Sequence, residues 1–299
     1  MPRLLALFAI MPTLATAAPF EFKANDRIVM VGNTVIERAQ HYSHIQLQLN
    51  LLHPDKDLTF RNLGWSGDNV YGESRSYFGS RDQGFKHLVQ YVEMTKPTVL
   101  IIGYGNNAAF AGPDGLDEFI KQYNILLDNV EKQTKRIILL SPTPQERHPA
   151  PLPDPSAFNK NAAIYAQAIQ SLAAKRGYFY ADVFNPLIGE MDHATTLLTD
   201  NSKHFTDEGY AVFARVLASI LSGKKAPTIK TTADITELRQ LIQKKDELFF
   251  HRYRPQNETY LRGFRKHEQG QNAKEIPQFD PLVEAEEKKI HTLSKRIKS

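Results

Sequence analysis

Four short stretches of this sequence gather the residue types of acyl-transfer chemistry: Gly32-Asn33-Thr34, Ser66-Gly67-Asp68, Gly105-Asn106-Asn107 and Asp200-Asn201-Ser202-Lys203-His204. Cleaving an ester needs a hydroxyl nucleophile, an imidazole to take its proton, a group that orients the imidazole, and N–H donors for the oxyanion. Each stretch can offer one of these parts. A hydroxyl on a tight strand-to-helix turn is exposed, and the helix N-terminus behind it favours developing negative charge. Glycine amides and an Asn side chain are suitable donors, and His204 supplies an imidazole.

Positioning them requires strands and helices in alternation. Residues 27–31 read as a short buried strand closed by Gly32, and 35–52 place Ile36, Ile45, Leu49 and Leu52 at helical spacing. Residues 58–62 alternate like a strand ending at Gly64, and a helix around 84–94 stops at Pro97. The stretch 98–103 is an apolar strand, followed by a helix at 114–133 and a strand at 136–140. After a proline-rich loop at 143–155 come a helix at 156–176, Gly177, a strand at 178–182, and a last helix from Thr206 to Leu221. This order predicts an α/β fold: a flavodoxin-like three-layer sandwich around a five-stranded parallel sheet. Right-handed crossovers place every loop that follows a strand on one edge of such a sheet, where ligands bind. All four stretches belong to that edge.

The chain of 299 residues, 41% apolar, is long enough for a full core. Its formal charge of +4 is uneven: residues 224–299 hold 17 Lys and Arg against 11 Asp and Glu, leaving −2 for the rest. The basic end points to an anionic neighbour, and no DNA- or RNA-reading motif is present. Arg3, the apolar run 4–10 and Ala15-Thr16-Ala17 read as an export signal, hence a secreted or periplasmic protein. That run falls short of the ~20 residues that span a bilayer, and no later stretch is apolar enough to do so. There is no cysteine, which excludes disulfides, thiolate metal sites and a Cys nucleophile. Asp192, His193, Asp200 and His204 fit no metal-ligand spacing. We therefore divide the chain into a signal at 1–18, an α/β domain carrying the four stretches at 19–223 and a helical, basic extension at 224–299.

The four stretches, in this order, resemble the sequence blocks of the SGNH (GDSL-like) hydrolases. Gly32-Asn33-Thr34 stands for that family's Gly-Asp-Ser, Ser66-Gly67-Asp68 for its second turn, Gly105-Asn106-Asn107 for Gly-x-Asn, and Asn201-Ser-Lys-His204 for Asp-x-x-His. The resemblance runs from about residue 26 to 222. The C-terminal Arg254-Pro-Gln-Asn-Glu-Thr-Tyr-Leu261 also resembles a secreted planctomycete and verrucomicrobial branch.

By this resemblance Thr34 is the nucleophile and His204 the general base. Asn201 or Asp200 orients the imidazole, and the Gly67 amide with the Asn107 side chain forms the oxyanion hole. No metal or cofactor is implied. Asn33, Asp200, Arg252, Arg254 and Tyr260 are further candidates for binding a small-molecule or glycan ester. Two positions depart from the family: Thr34 replaces Ser, and Asn201 replaces the orienting Asp. A β-branched nucleophile has restricted χ1, and Thr at such a turn also serves as a helix N-cap. Two functions follow as expectations: an exported esterase acting on acyl groups of carbohydrate, or a catalytically weakened module that binds glycan or a protein partner. The sequence leaves the oligomeric state open.

Overall fold

Ile28, Val29, Met30 and Val31 are all buried because their strand has helices on both faces, so neither side of the pleat meets water. The computed structural model describes residues 18–298. The expected export signal lies outside the described residues apart from Ala18. Five strands, β1 (Arg27–Gly32), β2 (Thr59–Asn62), β3 (Val99–Gly103), β4 (Ile137–Leu140) and β5 (Phe179–Ala181), form the sheet. Its order is β2-β1-β3-β4-β5, parallel throughout, as expected.

The helices of this part are α1 (Thr34–Ala39), α2 (His44–Leu52), α3 (Arg81–Thr95), α4 (Leu116–Val130), α5 (Ser156–Arg176), α6 (Phe184–His193) and α7 (Asp207–Ser222). Val29, Leu100, Ile102 and Leu139 point to the layer of α3, α4 and α5, against Leu88, Tyr123 and Tyr165. Their alternates Ile28, Met30, Ile101 and Ile138 point to α1, α2 and α7, against Ile36, Leu49 and Phe213. α6 has no counterpart in the sequence expectation.

One expectation needs correction. Residues 35–52 are two helices, because Ser43 takes a left-handed backbone (φ +62°) between them. The ring of Tyr42 stacks on Tyr210 of α7 at 4.7 Å, holding the turn inward. Apolar spacing continues in phase across this turn, so periodicity alone does not register it.

The extension consists of α8 (Ala233–Tyr253), α9 (Glu258–Leu261), α10 (Lys266–Gln269) and α11 (Phe279–Lys298). α8 and α11 pack on each other and on Leu47 through Leu238, Ile242 and Ile290. They also close the free edge of β2. Phe60 N–H donates to Glu287 Oε1 at 3.1 Å, and Lys245 Nζ donates to the Phe60 carbonyl at 3.3 Å. An edge strand otherwise presents such groups as a template for foreign chains. Glu287 also takes Arg61 at 2.8 Å and Gln46 at 3.1 Å, all buried. Glu287→Ala strands the Arg61 charge and the Phe60 amide together, and we expect a loss of about 2–3 kcal/mol in urea denaturation. A loss within error would mean that the edge is sealed by packing alone. Among the described residues no helix is long and apolar enough to cross a membrane.

Candidate active site

β1 and β3 lie side by side where the strand order reverses, and the loops beyond their carboxyl ends form the crevice of such sheets. The close approach depends on glycine. A Cβ on Gly32 would sit 2.5 Å from the Gly103 carbonyl, and one on Gly64 would sit 2.2 Å from the Glu37 amide. The turn after β2 can therefore lie directly on α1.

Asn33 is the N-cap of α1: its Oδ1 accepts from Val35 N–H at 3.2 Å. Thr34 is thus relieved of capping and is the first helical residue, half-buried. Its Oγ1 accepts the Gly67 amide at 3.2 Å, so its own proton remains available to donate. Asn107 donates through Nδ2 to the Asp68 carbonyl at 3.1 Å. Thr34, Asn33, Asn107 and His204 all line one cleft of about 70 Å³. The sheet topology thus brings Thr34, Gly67, Asn107 and His204, far apart in sequence, to one place. No hydrogen bond joins Thr34 to His204.

His204 stands on a loop ended by the cap of α7, where Thr206 Oγ1 accepts Gly209 N–H at 3.1 Å. The Asn201 side chain reaches His204 Nδ1 through Nδ2 at 3.2 Å. Asn201 Oδ1 accepts the backbone amides of His204 at 3.1 Å and Lys203 at 3.4 Å. Those two donors fix which end of the amide is oxygen, so the NH₂ faces the ring. Asp200 turns away from the ring to Arg38 at 3.3 Å.

Burial, then the charges of Arg38 and Lys203, lowers the His204 pKa below the ordinary imidazole value, against an upward pull from Asp200. A protonated imidazole cannot accept a hydroxyl proton, so any rate that uses His204 falls as pH drops through this lowered value. Arg38→Gln removes one lowering charge and should move the acid limb of the pH–rate profile upward. A limb that stays put or moves down would exclude His204 as the titrating group.

The remaining candidates lie elsewhere. Arg252 pairs with Asp280 at 2.9 Å, and Tyr260 lies 4.4 Å under the Arg265 guanidinium. Arg254 pairs with Glu37 at 2.6 Å and stacks 3.7 Å over Trp65. None of the three lines the cleft. Arg254 instead braces the turn that carries Gly67, since Glu37 also accepts the Ser66 hydroxyl. Tyr253 adds a bond to the Gly64 carbonyl at 2.9 Å.

Sequence reasoning missed several lining residues. Asn106 donates to Thr143 Oγ1 at 2.9 Å and to the Thr143 carbonyl at 3.0 Å, and Lys203 and Phe110 also line the cleft. Thr143 lies in the loop after β4, on the expected edge of the sheet, but carries no motif. Among the described residues no three His, Asp or Glu side chains gather as a metal site.

The model of the GDSL-like lipase/acylhydrolase family matches residues 32–212, from the Gly32 turn into the helix beyond His204. The chain belongs to this family. No curated protein matches it in sequence. Among solved structures it is similar to a catalytic mutant of an acetylxylan esterase from Geobacillus stearothermophilus (16% identity, TM-score 0.53, 71% of this chain and 99% of that one). It is also similar to an α/β hydrolase from the metagenome of Lake Arreo, Spain (18%, TM-score 0.52, 67% and 98%). A third is a gut microbial diltiazem-metabolizing enzyme (19%, TM-score 0.52, 69% of this chain), of whose length this chain spans about half, 48%. These likenesses concern the fold.

Within a GDSL-like frame the Asn201 contact has a chemical consequence. An NH₂ donor on Nδ1 holds that nitrogen as the acceptor, so the neutral ring carries its proton on Nε2. A carboxylate in that place would select the opposite tautomer, with the Nε2 lone pair free to act as a base.

Proposed function

We propose that this protein is an exported GDSL-like esterase that binds short acyl groups carried on carbohydrate and hydrolyses them slowly. Thr34 Oγ1 attacks the ester carbonyl and His204 Nε2 takes its proton. The oxyanion accepts from the Thr34 and Gly67 amides and the Asn107 Nδ2, the last two leaving their resting partners. Collapse releases the alcohol, protonated by His204, and water then cleaves the acyl-threonine with His204 again as base.

The single observation that carries the low rate is the Asn201 amide on His204 Nδ1. Attack must use the minor tautomer, whose Nδ1–H faces an NH₂ group. In serine-protease triads the same Asp-to-Asn exchange costs about 10⁴ in turnover. The carbohydrate part is supported by the acetylxylan esterase likeness. Catalytic mutants of that esterase replace a serine, an aspartate and a histidine, the last two spaced as Asn201 and His204 are here. Residues 19–223 would form the hydrolase unit, and 224–299 the extension of the secreted branch that the wording after Arg254 resembles.

Hydrolysis of p-nitrophenyl acetate and acetylated xylan by wild type, His204→Ala and Thr34→Ala tests the reading. A small rate that both variants abolish is the expected result; wild-type turnover equal to the variants on both substrates would refute it. The same Asn201 contact favours a second reading, a binding module without turnover. That reading predicts retained affinity for acetylated oligosaccharide with no His204-dependent acetate release.

A further inference from the structure

We infer that a hollow of about 640 Å³ between the extension, the loop after β2 and α3 is a binding site for a neutral oligosaccharide. This rests on the ester reading only for the use of the site, since the chemistry of its walls stands by itself. Phe78 and Phe264 are 83% and 73% exposed, and their rings meet edge to face at 6.1 Å across the hollow's rim. Large aromatic faces left in water and facing a concavity mark ligand surfaces.

Polar groups alternate with the rings. His87 Nδ1 donates to the Arg75 carbonyl at 2.8 Å, which leaves Nε2 as an acceptor on the hollow's lining. The side-chain amides of Gln83 and Gln90, also on the lining, have no hydrogen-bond partner among the described residues. The charges cancel, because Arg262 pairs with Glu258 at 2.9 Å. An acyl chain would leave the amides and imidazole unsatisfied, and an anion would find no surplus cation. A sugar ring meets both demands: its C–H face covers an aromatic ring while its hydroxyls bond amides and imidazole.

The hollow is also coupled to the cleft. Tyr77, held in a left-handed backbone (φ +51°) with its hydroxyl 3.0 Å from that of Tyr91, packs edge-on against Trp65 at 5.8 Å. Trp65 begins the turn whose Gly67 amide reaches Thr34. A glycan seated in the hollow would therefore lean on the turn that serves the ester.

Trp65 is the only tryptophan and touches the lining ring of Tyr77, so its fluorescence reports occupancy through that contact. Unacetylated xylohexaose titrated into wild type and into His204→Ala should give the same saturable change. Phe78→Ala and Phe264→Ala, both at exposed positions, should each weaken it about five- to tenfold, with Gln90→Ala as a polar third and circular dichroism confirming the fold. His204-dependent p-nitrophenyl acetate hydrolysis should be unchanged in all three. Absence of any response to xylo-, cello- and manno-oligosaccharides would overturn the inference. So would equal affinity in the Phe variants, or binding confined to a dodecyl chain or to oligogalacturonate. Because unacetylated sugar offers no ester, failure here counts against the hollow, whereas loss of p-nitrophenyl acetate turnover alone counts against the cleft.

Discussion

Asn201→Asp should raise ester turnover by about 10³–10⁴-fold, approaching the factor that the reverse exchange costs in serine-protease triads. The new carboxylate keeps one oxygen on the backbone amides of Lys203 and His204, which now hold Asn201 Oδ1 at 3.4 and 3.1 Å. Its other oxygen replaces the NH₂ at 3.2 Å from His204 Nδ1. That turns an acceptor nitrogen into a donor and moves the free lone pair to Nε2. The substitution also brings a negative charge against a ring whose pKa is now lowered by burial and by Arg38 and Lys203. The acid limb of the pH–rate profile should therefore move to higher pH while the rate rises. A rise in rate without that shift would point to a base other than His204. No rise at all would show that Thr34, or the Gly67 and Asn107 donors, set the limit instead. Adding Thr34→Ser to the Asn201→Asp variant then measures what the β-methyl costs.

Asp68→Ala should destabilise the protein by about 3–5 kcal/mol in urea denaturation, the penalty for leaving a buried charge uncompensated. Asp68 and Arg75 are fully buried, with Nε 2.8 Å from Oδ2. Burial works against the Arg75 charge, but Asp68 beside it outweighs that and holds its pKa above the ordinary guanidinium value. Tyr104 donates to the same Oδ2 at 2.7 Å, and Arg75 caps the Leu63 carbonyl at 2.8 Å. Asp68 Oδ1 and Arg75 Nη1 have no partners among the described residues, so the pair is not optimised for stability. The pair closes the segment after β2 on itself, and the Tyr104 hydroxyl ties Asp68 to the loop after β3. Asp68→Leu with Arg75→Met should then recover most of the stability lost, as apolar replacements of buried pairs do. Tyr104→Phe, which removes one bond, should cost only about 1 kcal/mol. A cost for Asp68→Ala near that of Tyr104→Phe would mean that Arg75 finds another partner on unfolding the turn.

Much of this was legible in advance because it is local. The apolar runs at 28–31 and 99–102 sit between two helical layers, and a strand buried on both faces must be apolar there. Gly177 ends α5 in a left-handed backbone, and Thr206 caps α7 with its own side chain; both signals lie within a few residues of the event. The break at Ser43 was not legible, because it depends on Tyr42 meeting Tyr210 from a helix much later in the chain. Thr143 was hidden for the same reason: its only distinction is the loop that the topology sets beside Asn106.

The order and spacing of the residues already determined which side chains would share the rim beyond β1 and β3, since parallel strands with right-handed crossovers leave no other edge for their loops. The resemblance to the GDSL-like blocks marks Thr34 and Asn201 as altered positions. What an altered position does is settled at atomic range, and only the tertiary structure supplied that: whether Asn201 offers oxygen or nitrogen to the imidazole depends on two backbone amides claiming its oxygen. The extension shows the same division. Arg252, Arg254 and Tyr260 look alike as binding candidates in a linear chain, yet the fold commits Arg254 to Glu37 and Trp65, Arg252 to Asp280 and Tyr260 to Arg265. Side-chain partners are chosen by three-dimensional proximity, which sequence separation does not encode.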